Sequence, residues 1–401
     1  MNQRNLIAFS IALMFAAPTM AADVQLFGFL DQGMSFVHED LNKGMGQPVG
    51  QAAPNVLDAN GLVSKQGALT KSTLGTGNVS TWGVKGTEKL SDDLEVIFHL
   101  ESGFLPDDGT LYGAGSPLFE RESSVGLRSK AWGELKFGRM PAMSTGSGTT
   151  GLFNSRVNPF GAGWGNMTGG WKFAGSLATA RWNNMVNYKT PVMNGVQVHV
   201  QHSLGNKNDD TEGTADTDRW TALGATWTGE RAFVAAAVDW LRSSNTASGV
   251  KQSEKDSWKA IVGGNMKFED FKLYGSAQYL KNARSIGGYS TKEWAPVTAA
   301  QTTNLGFDSW AFATGVDVPA AGGTFKASVA YGFGENNNVS ERNKYDRINA
   351  GVGYMYPLSR RTTLYTAAGW IHNDFSDDYA AAKPTAVEND YEWICGITHK
   401  F

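Results

Sequence analysis

Apolar and polar residues alternate with a period of two along most of the chain. Residues 325–333 read FKASVAYGF, with the larger apolar side chains at every second position. The same alternation runs through 24–36, 94–101, 258–268 and 348–356. Successive side chains of a strand point to opposite faces, so each stretch predicts a β-strand of about ten residues with one apolar and one polar face.

The connections between these strands alternate between short and long. Short turns are expected at 91–93, 129–132, 190–194, 228–230, 269–270, 320–323 and 359–361. Long polar segments are expected near 38–76, 105–119, 140–180, 205–217, 243–255, 284–304, 335–344 and 373–388. Seven turns and eight loops make fifteen connections between sixteen strands. Short turns at one end and long loops at the other are typical of an outer-membrane barrel, whose sheet must close because lipid cannot pair with backbone groups.

A barrel of sixteen strands leaves a water-filled lumen. The alternative is a soluble β-solenoid or a double sandwich. It does not explain the aromatic residues at strand ends, which suit interfacial girdles. Those residues are Tyr354, Tyr356, Trp370, Tyr391, Trp393 and Phe401.

The N-terminus has the features of a secretory signal peptide. Arg4 gives a positive charge, residues 6–17 are apolar, and small residues follow. We therefore expect residues 1–21 to be removed, with cleavage after Ala21 or Ala22, and residues 22–401 to form one barrel domain. No later run of 18 apolar residues predicts a membrane-spanning helix.

Composition narrows the remaining possibilities. Gly accounts for 48 of the 401 residues and aromatics for 11%, as expected of a β-protein with many turns. The net charge of −3 gives no indication of nucleic-acid binding. The single cysteine, Cys395, excludes an intrachain disulfide and a cysteine-based zinc site. The six histidines and the acidic tract at 209–218 lack the spacing of metal ligands, so we expect no metal and no cofactor.

The third long segment, about 140–180, is the most distinctive part of the sequence. It is rich in Gly, Ser and Thr, yet it contains large apolar residues that need a surface to pack on. No Asp or Glu occurs between Leu135 and Asn208, whereas seven Lys or Arg residues do. At the chain average of 38 acids in 401 residues, a stretch of this length should hold about seven acids. We therefore predict a structured loop with a positive bias.

Several stretches resemble the Gram-negative general porins, which are trimeric sixteen-stranded diffusion channels. The matching segments are VQLFGFLD at 24–31, STWGVKGTE at 80–88, IFHLESGF at 97–104, VGL at 125–127 with LKFGR at 135–139, LSRRTTLY at 358–365 and GITHKF at 396–401. The resemblance implies an all-β, 16-stranded antiparallel transmembrane β-barrel with a long third loop folded into the lumen. It also implies a homotrimer in the cell outer membrane that meets outer-membrane lipids, lipopolysaccharide and the barrel-assembly machinery, and that passes small hydrophilic solutes.

The resemblance further implies a basic ladder facing the third loop. Alternation against apolar neighbours turns Lys85, Lys136 and Arg181 towards the lumen, with Trp182 taken as lipid-facing. The direction of the Arg121 side chain is undecided, because the family pattern places it on the lumen wall whereas alternation from Val125 turns it outward. Arg139 stands at the end of the basic ladder, where alternation does not assign its side chain to either face of the strand. The complete predicted constriction set is Lys85, Arg121, Lys136, Arg139, Arg156, Lys172 and Arg181.

Two departures from the family pattern bear on the ion preference, the first by weakening the basic ladder and the second by removing the opposing negative charge. Thr81 stands where the family often has an arginine, which removes one positive charge. The third loop lacks the acidic residues that cation-preferring members carry. A charge of one sign in a narrow aqueous site sets ion preference, so we expect an anion-preferring porin. A substrate-selective porin, or a surface adhesin with an incidental pore, remains an alternative.

The closing strand, 389–401, is predicted to act as an assembly signal through Tyr391, Trp393, Ile397 and Phe401, which alternate outward together with Cys395.

Enzymatic activity is not expected. A Ser102, His99 and Glu101 set could be assembled, but the serine lies on the opposite strand face from the other two.

Overall fold

The computed structural model describes residues 23–42, 64–65, 67–75, 77–113, 115–145, 148–161, 163–170, 177, 180–205, 217–243, 246–247, 250–251, 255–283, 285–286, 289–290, 306–337, 343–376 and 386–401. The predicted signal peptide, residues 1–21, and the loop residue Lys172 lie outside these ranges.

Sixteen antiparallel strands form one closed barrel, as predicted. They are β1 (Asp23–Leu41), β2 in two parts (Gly67–Gly75 and Ser80–Lys89), β3 (Leu94–Phe104), β4 (Glu122–Ser129), β5 (Gly133–Pro141), β6 (Arg181–Lys189), β7 (Val196–Ser203), β8 (Arg219–Thr228), β9 (Ala232–Arg242), β10 (Ser257–Lys267), β11 (Lys272–Ala283), β12 (Phe307–Ala320), β13 (Gly323–Asn336), β14 (Asn343–Pro357), β15 (Thr362–Ser376) and β16 (Ala386–Lys400). Each strand pairs with its sequence neighbours, and β1 pairs with β16 from Phe29↔Lys400 to His38↔Tyr391, which closes the sheet.

The second strand is interrupted, and the interruption has a local cause. The first half of β1 pairs with Ser80–Lys89 and its second half pairs with Gly67–Gly75. Between the two parts, the Asp31 carboxylate accepts hydrogen bonds from the amides of Gly77 and Asn78 at 3.1 and 2.9 Å. The first long connection therefore begins after residue 41 and ends before 67, so the predicted segment 38–76 was too long.

The face pattern of the strands is the reverse of that in a soluble protein. On β9, Val234, Val238 and Trp240 are exposed, and Trp240 retains 60% of its accessible surface. The intervening Ala235 and Asp239 are buried inside the barrel. Apolar side chains on the outer face and polar ones within match a barrel surrounded by lipid, where all strand hydrogen bonds are satisfied by neighbouring strands.

All seven predicted turns occur at one end of the barrel, and the strand ends that the long connections join lie at the other. At the turn after β4, Ser129 accepts hydrogen bonds from the amides of Ala131 and Trp132 and donates one to Asp93 at 2.6 Å. Gly133 follows with φ +99°, a conformation that favours glycine.

Within the described residues, no helix is long and apolar enough to cross a membrane.

The third long connection, between β5 and β6, packs inside the barrel. Its apolar residues Met143, Leu152 and Val157 join an interior cluster with wall residues of β6, β8 and β9. Trp182 on β6 belongs to this cluster, with its ring 6.0 Å from that of Trp220 and nearly parallel to it. The prediction that Trp182 faces lipid was therefore wrong. The pairing shifts between Gly138 and Met140, and this bulge breaks the alternation near the ends of β5 and β6.

Candidate functional site

The root of the third connection, hereafter the third loop, is fixed to the wall by a buried carboxylate. Glu122 on β4 accepts hydrogen bonds from the Lys136 ammonium at 2.7 Å and from the Thr149 hydroxyl at 2.8 Å. Lys136 also donates to the Thr149 hydroxyl at 2.8 Å. Ser144 donates to Asp239 on β9 in the same region. These contacts hold the beginning of the third loop against β4, β5 and β9.

The far end of the third loop is fixed to a different part of the barrel. The Glu392 carboxylate on β16 accepts hydrogen bonds from the amides of Asn166 and Met167 at 2.6 and 3.0 Å. The Asn349 side chain on β14 donates to the Met167 carbonyl. The loop is thus attached on both sides of the lumen, and it crosses the channel between the two attachments.

An aromatic cluster adds to the far attachment. The Trp164 ring lies 5.3 Å from Phe160 of the same loop and 5.3 Å from Tyr365 on β15. The Lys326 ammonium lies 5.9 Å from the centre of the Trp164 ring and forms an ion pair with Asp317 at 2.9 Å. Such contacts leave little freedom for the loop to move away from the wall.

Three of the predicted arginines come together at the loop end of β4, β5 and β6. Arg121 Nε donates to the Glu101 carboxylate at 2.8 Å. Arg139 Nε donates to the carbonyl of Glu120 at 2.6 Å, and Arg181 Nε donates to the carbonyl of Arg121 at 3.1 Å. We call Arg121, Arg139 and Arg181 the arginine cluster.

Arg121 follows the family pattern and not the alternation. It precedes the first residue of β4, so the strand phase does not determine its direction. A Cβ added at Gly103, on the inner side of β3, would lie 3.3 Å from Arg121 Cδ. The Arg121 side chain therefore covers the inner face of β3.

Sequence reasoning missed the acids that accompany the arginine cluster. Glu101 forms an ion pair with Arg121 at 2.8 Å, and the Glu120 carboxylate accepts hydrogen bonds from the Gly103 amide at 3.2 and 3.0 Å. Glu101 and Glu120 lie outside the acid-free stretch 135–208, but the pairing of β3, β4 and β5 brings them to the arginine cluster. Alternation along β3 turns Glu101 towards the lumen, on the same side as Lys85. This pattern could have identified Glu101 as a lumen residue from the sequence.

Lys136 points into the barrel, yet it does not present a charge to the channel water. Its side chain is only 5% exposed, and the side chain of its partner Glu122 is fully buried. A buried ion pair of this kind serves to hold the wall and the third loop together. Lys136 was predicted to belong to the constriction set, but the structure pairs its charge with Glu122 at 2.7 Å.

Lys85 and Arg156 differ from the other predicted cations because both are exposed. The Lys85 ammonium lies 5.1 Å from the centre of the Phe27 ring on β1. The Arg156 guanidinium, on the third loop, lies 4.8 Å from the Phe233 ring on β9. Within the described part of the chain, neither side chain forms an ion pair.

Several lumen-side acids are inaccessible to water. Glu39 on β1 and three alternate residues of β16 are all buried, and three of the four are fully so. The three on β16 are Glu388, Asp390 and Glu392. Water does not reach these four carboxyl groups, whereas Lys85 and Arg156 are exposed.

The predicted assembly residues all face outward. Tyr391, Trp393, Ile397 and Phe401 are exposed on the outer surface of the closing strand. Phe401 exchanges two backbone hydrogen bonds of 3.1 Å with Gly28 on β1. The Phe401 ring lies directly against Gly28, where an added Cβ would come within 2.0 Å of it, so a larger residue at position 28 requires the ring to move.

Comparison with known sequences supports the same class of protein. The profile of the Gram-negative porin family matches residues 8–376. An outer membrane porin protein of Bordetella pertussis is 29% identical, with all of both chains covered. Outer membrane porin protein 32 of Delftia acidovorans is 27% identical over 92% of this chain and 90% of its own.

Solved structures with the same fold include two of particular interest. One is described as an anion-selective porin from Comamonas acidovorans, with a TM-score of 0.63, 22% identity, and coverage of 95% of this chain and 100% of its own. The other is an outer membrane protein of Vibrio cholerae in a trimer form, with a TM-score of 0.57, 15% identity, and the same coverage.

Proposed function

The chain belongs to the Gram-negative porin family, and on that premise we propose that its water-filled channel in the outer membrane prefers anions. Small hydrophilic solutes diffuse through it without cofactor or energy input. The observation that carries the proposal is the difference in access between the two signs of charge. Lys85 and Arg156 are exposed, whereas Glu39 and Asp390 are fully buried.

The arginine cluster contributes less to the preference than the sequence suggests. Glu101 and Glu120 lie among its three guanidinium groups and offset part of their charge. An exposed charge without a counter-ion affects a permeating ion by about 1 kcal/mol at a few ångströms in a medium close to water. Two such charges are enough to favour anions several-fold.

Homotrimeric assembly is the second part of the proposal. It is supported by the trimeric form of the similar outer membrane protein from Vibrio cholerae. A cavity of about 530 Å³ on the outer surface of β14, β15, β16, β1 and β2 also supports it. Thr70, whose hydroxyl forms a hydrogen bond with His38 at 2.9 Å, and Ser72 stand exposed at its margin. Small polar side chains at this position suit contact with another protein chain better than contact with lipid.

The zero-current potential of single channels in a potassium chloride gradient tests the ion preference. The wild-type protein is expected to give the sign of anion preference, and the double substitution Lys85→Glu with Arg156→Glu is expected to reverse it. Arg181→Glu should shift the potential less, because Glu101 and Glu120 already lie beside that position. Arg360→Glu, on an exposed turn between β14 and β15, is the matched control and should leave the potential unchanged.

A wild-type channel that prefers potassium would refute anion preference. An unchanged potential in the double variant would show that Lys85 and Arg156 do not lie along the ion path.

A further inference from the structure

A row of small residues on the inner wall lies behind the third loop. Strand pairing places Gly315, Ser328, Gly351 and Gly369 side by side on β12, β13, β14 and β15, and all four are buried. The direct partner of Gly369 on β16 is Glu392, whose carboxylate holds the amides at the far end of the loop. We call the four residues on β12 to β15 the small-residue row.

The loop occupies the space that larger side chains would need at this row. A Cβ added at Gly369 would lie 2.7 Å from Met167 Cβ and 2.8 Å from the Met167 carbonyl carbon. One added at Gly351 would lie 3.3 Å from both Cα and Cβ of Thr168. The Ser328 hydroxyl donates a hydrogen bond to the Thr168 carbonyl at 3.3 Å. The loop backbone therefore lies directly on the wall at β13 to β15.

The same close contact continues towards the root of the loop. At Gly315 an added Cβ would lie 2.5 Å from the Pro159 ring, and at Gly263 on β10 it would lie 2.8 Å from Val157 Cγ1. Pro159 and Val157 are both buried. Non-bonded carbon atoms pack at about 3.5–4.0 Å, so these glycines let the loop lie roughly 1 Å closer to the sheet than alanine would.

The loop has a water side opposite its wall side. Ser155, Arg156 and Asn166 are exposed, whereas Met167 and Thr168 are buried against the wall. The sheet behind the loop cannot retreat, because each strand of the closed barrel is hydrogen-bonded to a neighbour on both sides. A side chain that pushes on the loop from the wall therefore displaces it towards the channel water.

We propose that the small-residue row sets the size limit for permeating solutes, by fixing how far the third loop stands out from the wall. Its members act as positioning residues, since they are buried and touch no solute. The methyl group of Gly369→Ala moves the loop by about 1 Å, and that of Gly351→Ala by roughly a few tenths of an ångström. The proposal rests on the channel function and is independent of the ion preference.

Swelling of liposomes that contain the purified protein, in neutral sugars of increasing size, tests the row. The rate for a trisaccharide relative to that for a monosaccharide should be highest in the wild type, lower in Gly351→Ala and lowest in Gly369→Ala. Single-channel conductance in planar bilayers should fall in the same order. A ratio of rates and a conductance per channel do not change when a variant merely yields less folded protein.

Gly332→Ala is the matched control, because Gly332 is also a buried glycine of the inner wall, on β13. A Cβ added there would lie 3.4 Å from the Trp310 carbonyl oxygen and 3.5 Å from Ala311 Cβ, which are ordinary contacts within the wall. This variant should show the sugar ratio and the conductance of the wild type.

Values in Gly351→Ala and Gly369→Ala equal to those of Gly332→Ala would overturn the proposal. A wider channel in Gly369→Ala would also overturn it, because the loop would then have left the wall instead of moving into the lumen. Gly351→Ala introduces the smaller strain and decides the question if Gly369→Ala does not form a barrel. A wild-type protein that passes no sugar would refute the channel function itself, and the proposal with it.

Discussion

Replacing Glu392 should loosen the far end of the third loop. The carboxylate accepts two amide hydrogen bonds from the loop, from Asn166 and Met167, and a third from the Ser35 hydroxyl at 3.2 Å. A hydrogen bond to a charged group contributes about 1.5–3 kcal/mol, and a buried amide left without an acceptor costs about 1–3 kcal/mol. Allowing for non-additivity, Glu392→Ala should lower the free energy of loop detachment by about 2–5 kcal/mol.

Glu392→Gln keeps one carbonyl oxygen as an acceptor and should cost only about 1–2 kcal/mol. Even a change of 2 kcal/mol raises the population of the detached state about 30-fold. The other contacts of the loop end, from Asn349 to the Met167 carbonyl and from Trp164 to Tyr365, limit the displacement to this segment.

Single-channel recording in planar bilayers detects the detached state as transitions between conductance levels and as open-channel noise. We expect frequent transitions in Glu392→Ala, fewer in Glu392→Gln, and wild-type records in the control Glu95→Ala, which removes a lumen carboxylate paired with Arg128 at 3.7 Å. Identical noise and conductance in Glu392→Ala and the wild type would mean that the two amide bonds do not hold the loop.

Two further predictions concern assembly and stability. Deletion of Phe401 removes both hydrogen bonds to Gly28 and the ring that covers it, so less heat-modifiable, membrane-inserted protein should form; normal assembly on a native gel would contradict this. Lys136→Met leaves the Glu122 carboxylate buried without its cation, at a cost of about 3–5 kcal/mol, and should lower the unfolding temperature. Adding Glu122→Gln should recover part of that loss, and a double variant less stable than Lys136→Met would argue against the ion pair.

The strands and their connections could be predicted from the sequence because a barrel strand exposes its two faces to two different solvents. Lipid and channel water select opposite side chains, so the period of two in 325–333 is visible without any structure. Alternation failed where the backbone departs from a regular strand. Trp182 lies beyond the irregular pairing of β5 and β6, and Arg121 lies before β4 begins.

The charges around the third loop could be predicted only in part. The absence of acids from 135 to 208 is real, but it is a property of the linear sequence. Glu122 reaches Thr149 across 27 positions, and Glu392 reaches Asn166 across 226. Hydrogen bonds over such separations follow from barrel closure and loop placement, and periodicity carries no information about them.

The pairing of β1 with β16 joins the two ends of the chain and gives the barrel a seam with its own folding problem. Residues at this seam, such as Phe29 and Lys400, are about 370 positions apart, whereas every other pairing links strands adjacent in sequence. The entropy of closing such a loop exceeds that for a 20-residue loop by only about 2.5 kcal/mol, because the cost rises with the logarithm of length. Ten paired residues along the seam offset this cost easily. The difficulty is kinetic, since non-local contacts form late and both unpaired edges stay exposed until they do. The nascent sheet is therefore most vulnerable to aggregation just before its last strand meets its first.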